Sequence, residues 1–208
     1  MCSSDLHDGH TAILVGAARV LQRLAGEGAL PNPVTLLFQP AEEGGNGGAR
    51  MVEDGALDGR LIGPPVQQMY GLHGWPSLPV GTVASRPGPM LASADAFQID
   101  VRGAGGHAAW PHLARDPVLA ASAIVQALQG IVSRNVRPLD AAVITVTAFR
   151  AGEAFNVIPE RAELRGTTRA FSEAVHRLLH ERIREVASHV ALAHGCTADA
   201  SFRATTPV

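Results

Sequence analysis

The sequence predicts an α/β protein built in two parts, and three observations carry that prediction. Residues 1–91 place a helical apolar stripe before two short β-rich runs. Residues 92–208 read strand, helix, strand, strand, helix, strand. Between them, at residues 90–93, the composition changes.

In the first part, Ile13, Leu14, Ala17, Ala18, Leu21 and Leu24 fall at helical spacing, so a helix is expected over 11–24, led in by His7-Asp8-Gly9-His10. Gly26 and Gly28 end it, and Pro31 and Pro33 bound the next turn. Residues 34–38 (Val-Thr-Leu-Leu-Phe) are apolar and β-branched, long enough for a buried strand and too short for a helix. Pro40 ends the run because it has no N–H for a sheet ladder. Glu42 and Glu43 follow in a glycine-rich loop, and a short helix is expected over 47–57. Residues 66–72 read as a second buried strand that delivers His73 between Gly71-Leu72 and Gly74. Helix, strand, acidic loop, strand and His is an α/β order, and such sheets gather ligands at the carboxyl ends of their strands.

In the second part, Phe97, Ile99 and Val101 alternate with Gln98, Asp100 and Arg102, the period of a half-buried strand. Asp116 and Pro117 suit the N-cap and first turn of a helix whose stripe is Val118, Ala121, Ile124, Val125, Leu128 and Val132. Residues 142–149 are β-rich, and 163–169 alternate around Thr167. Ser172 caps a second long helix carrying Val175, Leu178, Leu179, Ile183, Val186 and Val190, with Gly195 just past its end. Ala198, Ala200 and Phe202 alternate in a last strand. This βαββαβ order is the ferredoxin-like split motif.

With 46% apolar and 17% charged residues the chain has the balance of a globular protein. A net charge of −2 gives no electrostatic case for nucleic acid or an anionic membrane. All 17 basic residues are Arg, which reads as GC-rich coding. Apolar runs fall short of the roughly 20 residues that span a bilayer, and Cys2 and Cys196 form no disulfide framework, so a cytoplasmic setting is expected.

Adjacent carboxylates at the mouth of a buried strand repel unless a cation or proton lies between them. His7, Glu42 or Glu43, and His73 each stand where an element begins or ends. Three N/O ligands around an open position suit a hydrolytic zinc or manganese site. Neighbouring residues of an extended segment point to opposite sides, so one Glu can ligate while the other faces substrate as general base.

Five motifs then bear a resemblance. His7-Asp8-Gly9-His10-Thr11, Gln39-Pro40-Ala41-Glu42-Glu43-Gly44, Gly71-Leu72-His73, Gly105-Gly106-His107-Ala108-Ala109-Trp110-Pro111-His112 and Asn156-Val157-Ile158-Pro159 occur in the order and spacing of the M20 metallopeptidase family. The chain most resembles its amidohydrolase branch, which includes hippurate hydrolases, N-acyl-amino-acid amidohydrolases and indole-acetyl-amino-acid hydrolases. The resemblance implies a partial zinc-peptidase-like catalytic domain (1–91) and a ferredoxin-like lid and dimerisation domain (92–208). It implies two divalent metal ions, zinc or manganese, with cobalt or nickel as alternatives. By position, His7, Glu43 and His73 are implied as metal ligands and Glu42 as general base. His107 is implied as an oxyanion donor, often supplied across a dimer interface, and Asn156 and Arg169 as substrate-positioning residues. Asp8 and His10 are read as supporting groups that orient a ligating His or its loop. The implied reaction has Glu42 deprotonating a metal-bound water that attacks the amide of an N-acyl amino acid. The metals and His107 then stabilise the oxyanion, and Glu42 returns the proton to the leaving amine. A homodimer through the lid is implied, with no nucleic-acid or membrane partner. The rival reading is a non-catalytic homodimerisation module with remnant metal motifs.

His112 precedes the helix and is left open between a structural and a functional role. His176 and His180 are spaced i, i+4 but lack the Glu of a His-Glu-x-x-His pattern, so they read as a solvated face with His189 and His194. Trp75, Trp110 and Phe155 read as packing residues, with Trp110 also placed to line an acyl pocket.

The chain departs from the family at both ends. Where the family has a ligating Cys in Cys-Gly-His-Asp, Asp5 and Leu6 precede His7. Residues 2–6 match the translated end of a common sequencing adapter, so residues 1–6 are expected to be foreign to a genuine fragment; finding this leader in the genomic DNA would refute that. The family's downstream His ligand is not within the 208 residues, so little or no turnover is expected of this chain alone.

Overall fold

The computed structural model describes residues 4–42 and 45–207. The chain divides into two compact units, Met1–Ala84 and Ser85–Val208.

The first unit contains α1 (Ser4–Gly26) and α2 (Gly47–Glu53). Leu14, Ala17, Ala18, Leu21 and Leu24 are its half-buried stripe on α1. The helix begins earlier than the apolar spacing indicates, so His7 and His10 stand on it rather than before it. Gly9 lowers helix propensity but does not stop a helix. Gly28 closes α1 in the left-handed region (φ 70°). Its N–H reaches the Ala25 carbonyl at 3.0 Å, and Ala29 N–H reaches the Leu24 carbonyl at 2.8 Å.

The two strands expected here are not formed. Residues 34–38 and 66–72 belong to no ladder, and the first unit has no strand among the described residues. Their apolar character is real, but a strand exists only by pairing, and among the described residues neither run forms a ladder, the 2.8 Å bond from Val66 N–H to the Leu57 carbonyl being an isolated contact. Their side chains stay open to solvent: Val34 is 51% exposed and Tyr70 is 89% exposed. The helix expected over 47–57 stops at Glu53 and gives way to turns.

In the second unit the expected order appears in full. It runs β1 (Ser93–Arg102), β2 (Gly106–His107), a 3₁₀ turn (Pro111–Leu113), α3 (Pro117–Asn135), β3 (Ala142–Ala151), β4 (Val157–Ile158), β5 (Arg161–Ala170), α4 (Glu173–Ala193) and β6 (Thr197–Thr206). The four-stranded sheet has the order β3-β5-β1-β6, antiparallel throughout, and β2 pairs with β4 in a small ribbon of its own.

Strand alternation sends Phe97, Ile99, Val101, Ala162 and Leu164 to one face, where α3 and α4 cover them with Ile124, Leu128, Ile131, Leu179 and Ile183. Each fully buried aliphatic side chain contributes about 1.5–3 kcal/mol. Asp116 caps α3, its Oδ1 accepting the Val118 N–H at 2.8 Å and the Leu119 N–H at 3.3 Å. Ser172 caps α4 through the Val175 N–H. Gly195 (φ 70°) closes α4, with Cys196 N–H reaching the Ala191 carbonyl at 2.9 Å.

Gly166 is required by crowding. A Cβ there would run into the Phe97 ring and the Thr145 carbonyl. On the outward face Asp100 lies opposite Glu163, and Arg161 bonds Asp100 while Arg165 Nε lies 2.8 Å from Glu163. Among the described residues no helix is long and apolar enough to cross a membrane.

Candidate metal centre

On α1, His7 and His10 are three residues apart and so share a face. The irregular segment 71–74 carries His73 to them. The His7 and His10 ring centroids are 5.2 Å apart, His10 and His73 4.4 Å, and His7 and His73 6.0 Å. One nitrogen from each ring lies within 4.8 Å of the others. That spacing suits a shared ion after small ring rotations.

Each ring's second nitrogen fixes what the first can do. His73 Nδ1 lies 2.7 Å from the Gly74 carbonyl oxygen. A carbonyl only accepts, so Nδ1 carries the proton and Nε2 keeps a bare lone pair, the arrangement a metal-binding imidazole needs. His10 Nε2 accepts the Gly74 N–H at 2.8 Å, which leaves only Nδ1 on that ring for any other partner. Burial, and then the nearness of His73 and His7, holds the His10 pKa below the ordinary imidazole value, with Glu42 opposing. A neutral ring that accepts from the backbone fits the supporting role expected of His10.

Glu42 approaches the same place. Its Oε2 lies 3.5 Å from His7 Nε2. The loop that carries it is tightly turned. Ala41, just before Glu42, takes a left-handed conformation (φ 51°), as does Asn46 (φ 51°). For a residue with a Cβ that conformation costs about 1–2 kcal/mol. Gly45 N–H closes the turn on the Ala41 carbonyl at 3.0 Å, and a side chain at Gly47 would strike the Pro40 carbonyl. Glu43 lies outside the described residues. Asp8 is exposed and, among the described residues, makes no hydrogen bond to an imidazole.

The donor set of imidazoles and an acid fits a divalent ion of the zinc or manganese class. Among the described residues, His7, His10 and His73 are the group in this unit that could hold one.

Two further site residues meet in the second unit. His107 ends β2, pairs with Val157, and lies beside Asn156, whose carbonyl accepts the Ala108 N–H at 3.0 Å. His107 Nδ1 accepts the Ala109 N–H at 3.1 Å, so the ring's proton is on Nε2 and available to donate. Arg169 is not part of this group. It lies opposite Ala94 at the far end of the sheet, bonded to Thr167 Oγ1 and to the Thr168 carbonyl.

Several expectations change. Trp75, Trp110 and Phe155 do not serve as packing residues: Trp110 is 61% exposed and Phe155 is 100% exposed. His112 is exposed in the 3₁₀ turn. His176 and His180 are not a solvated face. Both are part-buried, and both Nε2 atoms contact the buried Asp95, at 2.6 Å and 2.9 Å. The signal that could have found this is Asp95 itself, an acid in the inward register of Phe97, Ile99 and Val101.

Known proteins resemble this chain along most of its length. The family model of Peptidase family M20/M25/M40 matches residues 7–201. The N-acetyl-L-cysteine deacetylase of Bacillus subtilis (strain 168) is 40% identical over 201 residues, covering 97% of this chain and 46% of that protein. The hippurate hydrolase of Campylobacter jejuni is 40% identical over 191 residues, covering 90% of this chain and 47% of its own length. Among solved structures, the YXEP protein of Bacillus subtilis, described as a dinuclear metal binding peptidase from the M20 family, superposes with a TM-score of 0.74 at 34% identity. That match covers 95% of this chain and 48% of the other. The chain thus spans about half the length of the curated relatives it matches. With its motifs in order and its second unit folded as expected, this chain belongs to the M20/M25/M40 family of peptidases.

Proposed function

We propose that this chain is part of a metal-dependent amidohydrolase that cleaves N-acyl amino acids. One observation carries the reading: His7 and His73, 66 positions apart by their residue numbers, converge with Glu42 at their side. The names of the relatives, a deacetylase of an N-acyl amino acid and a hippurate hydrolase, support the substrate class.

In this reading His7 and His73 hold a divalent ion, zinc or manganese, with Glu43 as the acidic ligand and a second ion beside the first. When bound, such an ion supplies Lewis acidity and lowers the pKa of a coordinated water toward about 7. Glu42 takes a proton from the attacking water and returns it to the leaving amine. His107 donates from Nε2 to the oxygen where negative charge develops, and Asn156, next to it, orients the acyl group. Arg169 receives the amino acid's carboxylate on the strength of the resemblance alone. The unit at 92–208 serves as lid and dimer contact, and the protein works in the cytoplasm.

Metal analysis tests the core of this. The chain dialysed against zinc should retain it at the first unit, and His7→Gln with His73→Gln should lose that share. Glu42→Gln should keep the metal while removing detectable hydrolysis of N-acetyl and N-benzoyl amino acids. Retention of all zinc by the double variant would overturn the site, and undiminished hydrolysis by Glu42→Gln would overturn the role of Glu42.

A further inference from the structure

We propose that Asp95, His176 and His180 form a second, independent site for a divalent transition-metal ion, inside the second unit. His176 and His180 are one helical turn apart on α4 and present their Nε2 atoms together. Asp95 comes from β1, on the face that otherwise carries Phe97, Ile99 and Val101. One nitrogen from each ring and an Asp95 oxygen lie within 4.8 Å of one another.

The carboxylate is the reason to look for a cation. Its side chain is wholly buried, and Oδ1 has no hydrogen-bond partner. Oδ2 contacts the two imidazoles and receives the Thr168 hydroxyl at 3.3 Å. Among the described residues no arginine lies within ion-pair distance of it. A buried carboxylate is costly unless charge and hydrogen bonds compensate it, and an orphaned buried oxygen signals a missing partner. Two imidazoles with one carboxylate match the N/O preference of zinc and its first-row neighbours, with a fourth position left for water.

The spacing also fits. Around a tetrahedral ion with bonds of about 2.0–2.1 Å, ligand atoms stand roughly 3.3 Å apart. The Nε2 to Oδ2 distances of 2.6 Å and 2.9 Å need to open by only about half an ångström, well within a small side-chain rotation. Phe202 stacks on His180 at 4.0 Å and holds that ring in place. Without an ion, Nε2–H groups donate to Oδ2. With one, the neutral rings carry their protons on Nδ1 and turn Nε2 lone pairs inward.

Zinc titration of the 208-residue chain, followed by long-range proton–nitrogen spectra of the histidine rings, tests the site without any substitution. His176 and His180 should lose their Nε2–H signature together and saturate. If both keep it at saturating zinc while His7 and His73 respond, the proposal is overturned. Counting bound zinc separates the two centres. His176→Gln with His180→Gln should hold one equivalent fewer than the parent, whereas His7→Gln with His73→Gln should retain that equivalent. Equal zinc in the parent and the His176/His180 variant also overturns it. Failure of the first unit's site would leave these ring signals unchanged, so the two readings fail separately.

Discussion

His10 Nε2 accepts the backbone N–H of Gly74 at 2.8 Å, across 64 positions of sequence. The carbonyl oxygen of the same residue, Gly74, lies 2.7 Å from His73 Nδ1. Gly74 thereby orients one ring that offers a lone pair and another that supports it. His10→Ala should weaken zinc binding at the first unit by on the order of 10- to 100-fold, the range for groups that orient ligands. Competition with a chromophoric chelator measures it. Unchanged affinity would mean that the Gly74 carbonyl holds His73 unaided.

Leu164 is fully buried between the sheet and its helices. Leu164→Ala should cost about 2–5 kcal/mol. Urea unfolding followed by circular dichroism should show a lower midpoint with little change in slope.

Two glycines should respond in opposite directions. Gly166→Ala forces a methyl group against the Phe97 ring and the Thr145 carbonyl, and should destabilise the second unit by about 1–3 kcal/mol. Gly130, inside α3, has nothing within 4 Å of a built Cβ. Gly130→Ala should stabilise by about 0.4–1 kcal/mol. Thermal melts of the two variants against the parent read both signs.

Asp100 carries a pH dependence. Burial alone would raise its pKa, but hydrogen bonds from Arg161 and Gln98 outweigh this and hold it below the ordinary carboxylate value. A depressed folded-state pKa contributes stability that is present above the unfolded value, about 3.9, and is lost as pH falls through the folded value. Acid unfolding of Asp100→Asn should therefore show a shallower loss of stability below about pH 4. The same slope in parent and variant would remove Asp100 from the acid response.

The second unit was readable in sequence because its signals are local. Phe97, Ile99 and Val101 announce their face, Asp116 and Ser172 cap their helices, and Gly195 stops α4. The first unit was less so. Residues 34–38 have β propensity, but pairing depends on a neighbour that propensity does not encode. The histidines at 7 and 73 were legible through their motifs, whereas the contacts that His73 and His10 make with Gly74 were not. Asp95 and His176 are 81 positions apart, and only the packing of α4 on β1 joins them.

The unpaired apolar runs of the first unit bear on how the molecule must be handled. Phe38, Met69, Tyr70 and Leu72 leave oily surface in the native state. A solvatochromic dye should fluoresce on the folded chain before any heating, so dye-based melting curves would start from a false baseline. The far-ultraviolet signal of the second unit's helices and sheet is the sounder thermometer.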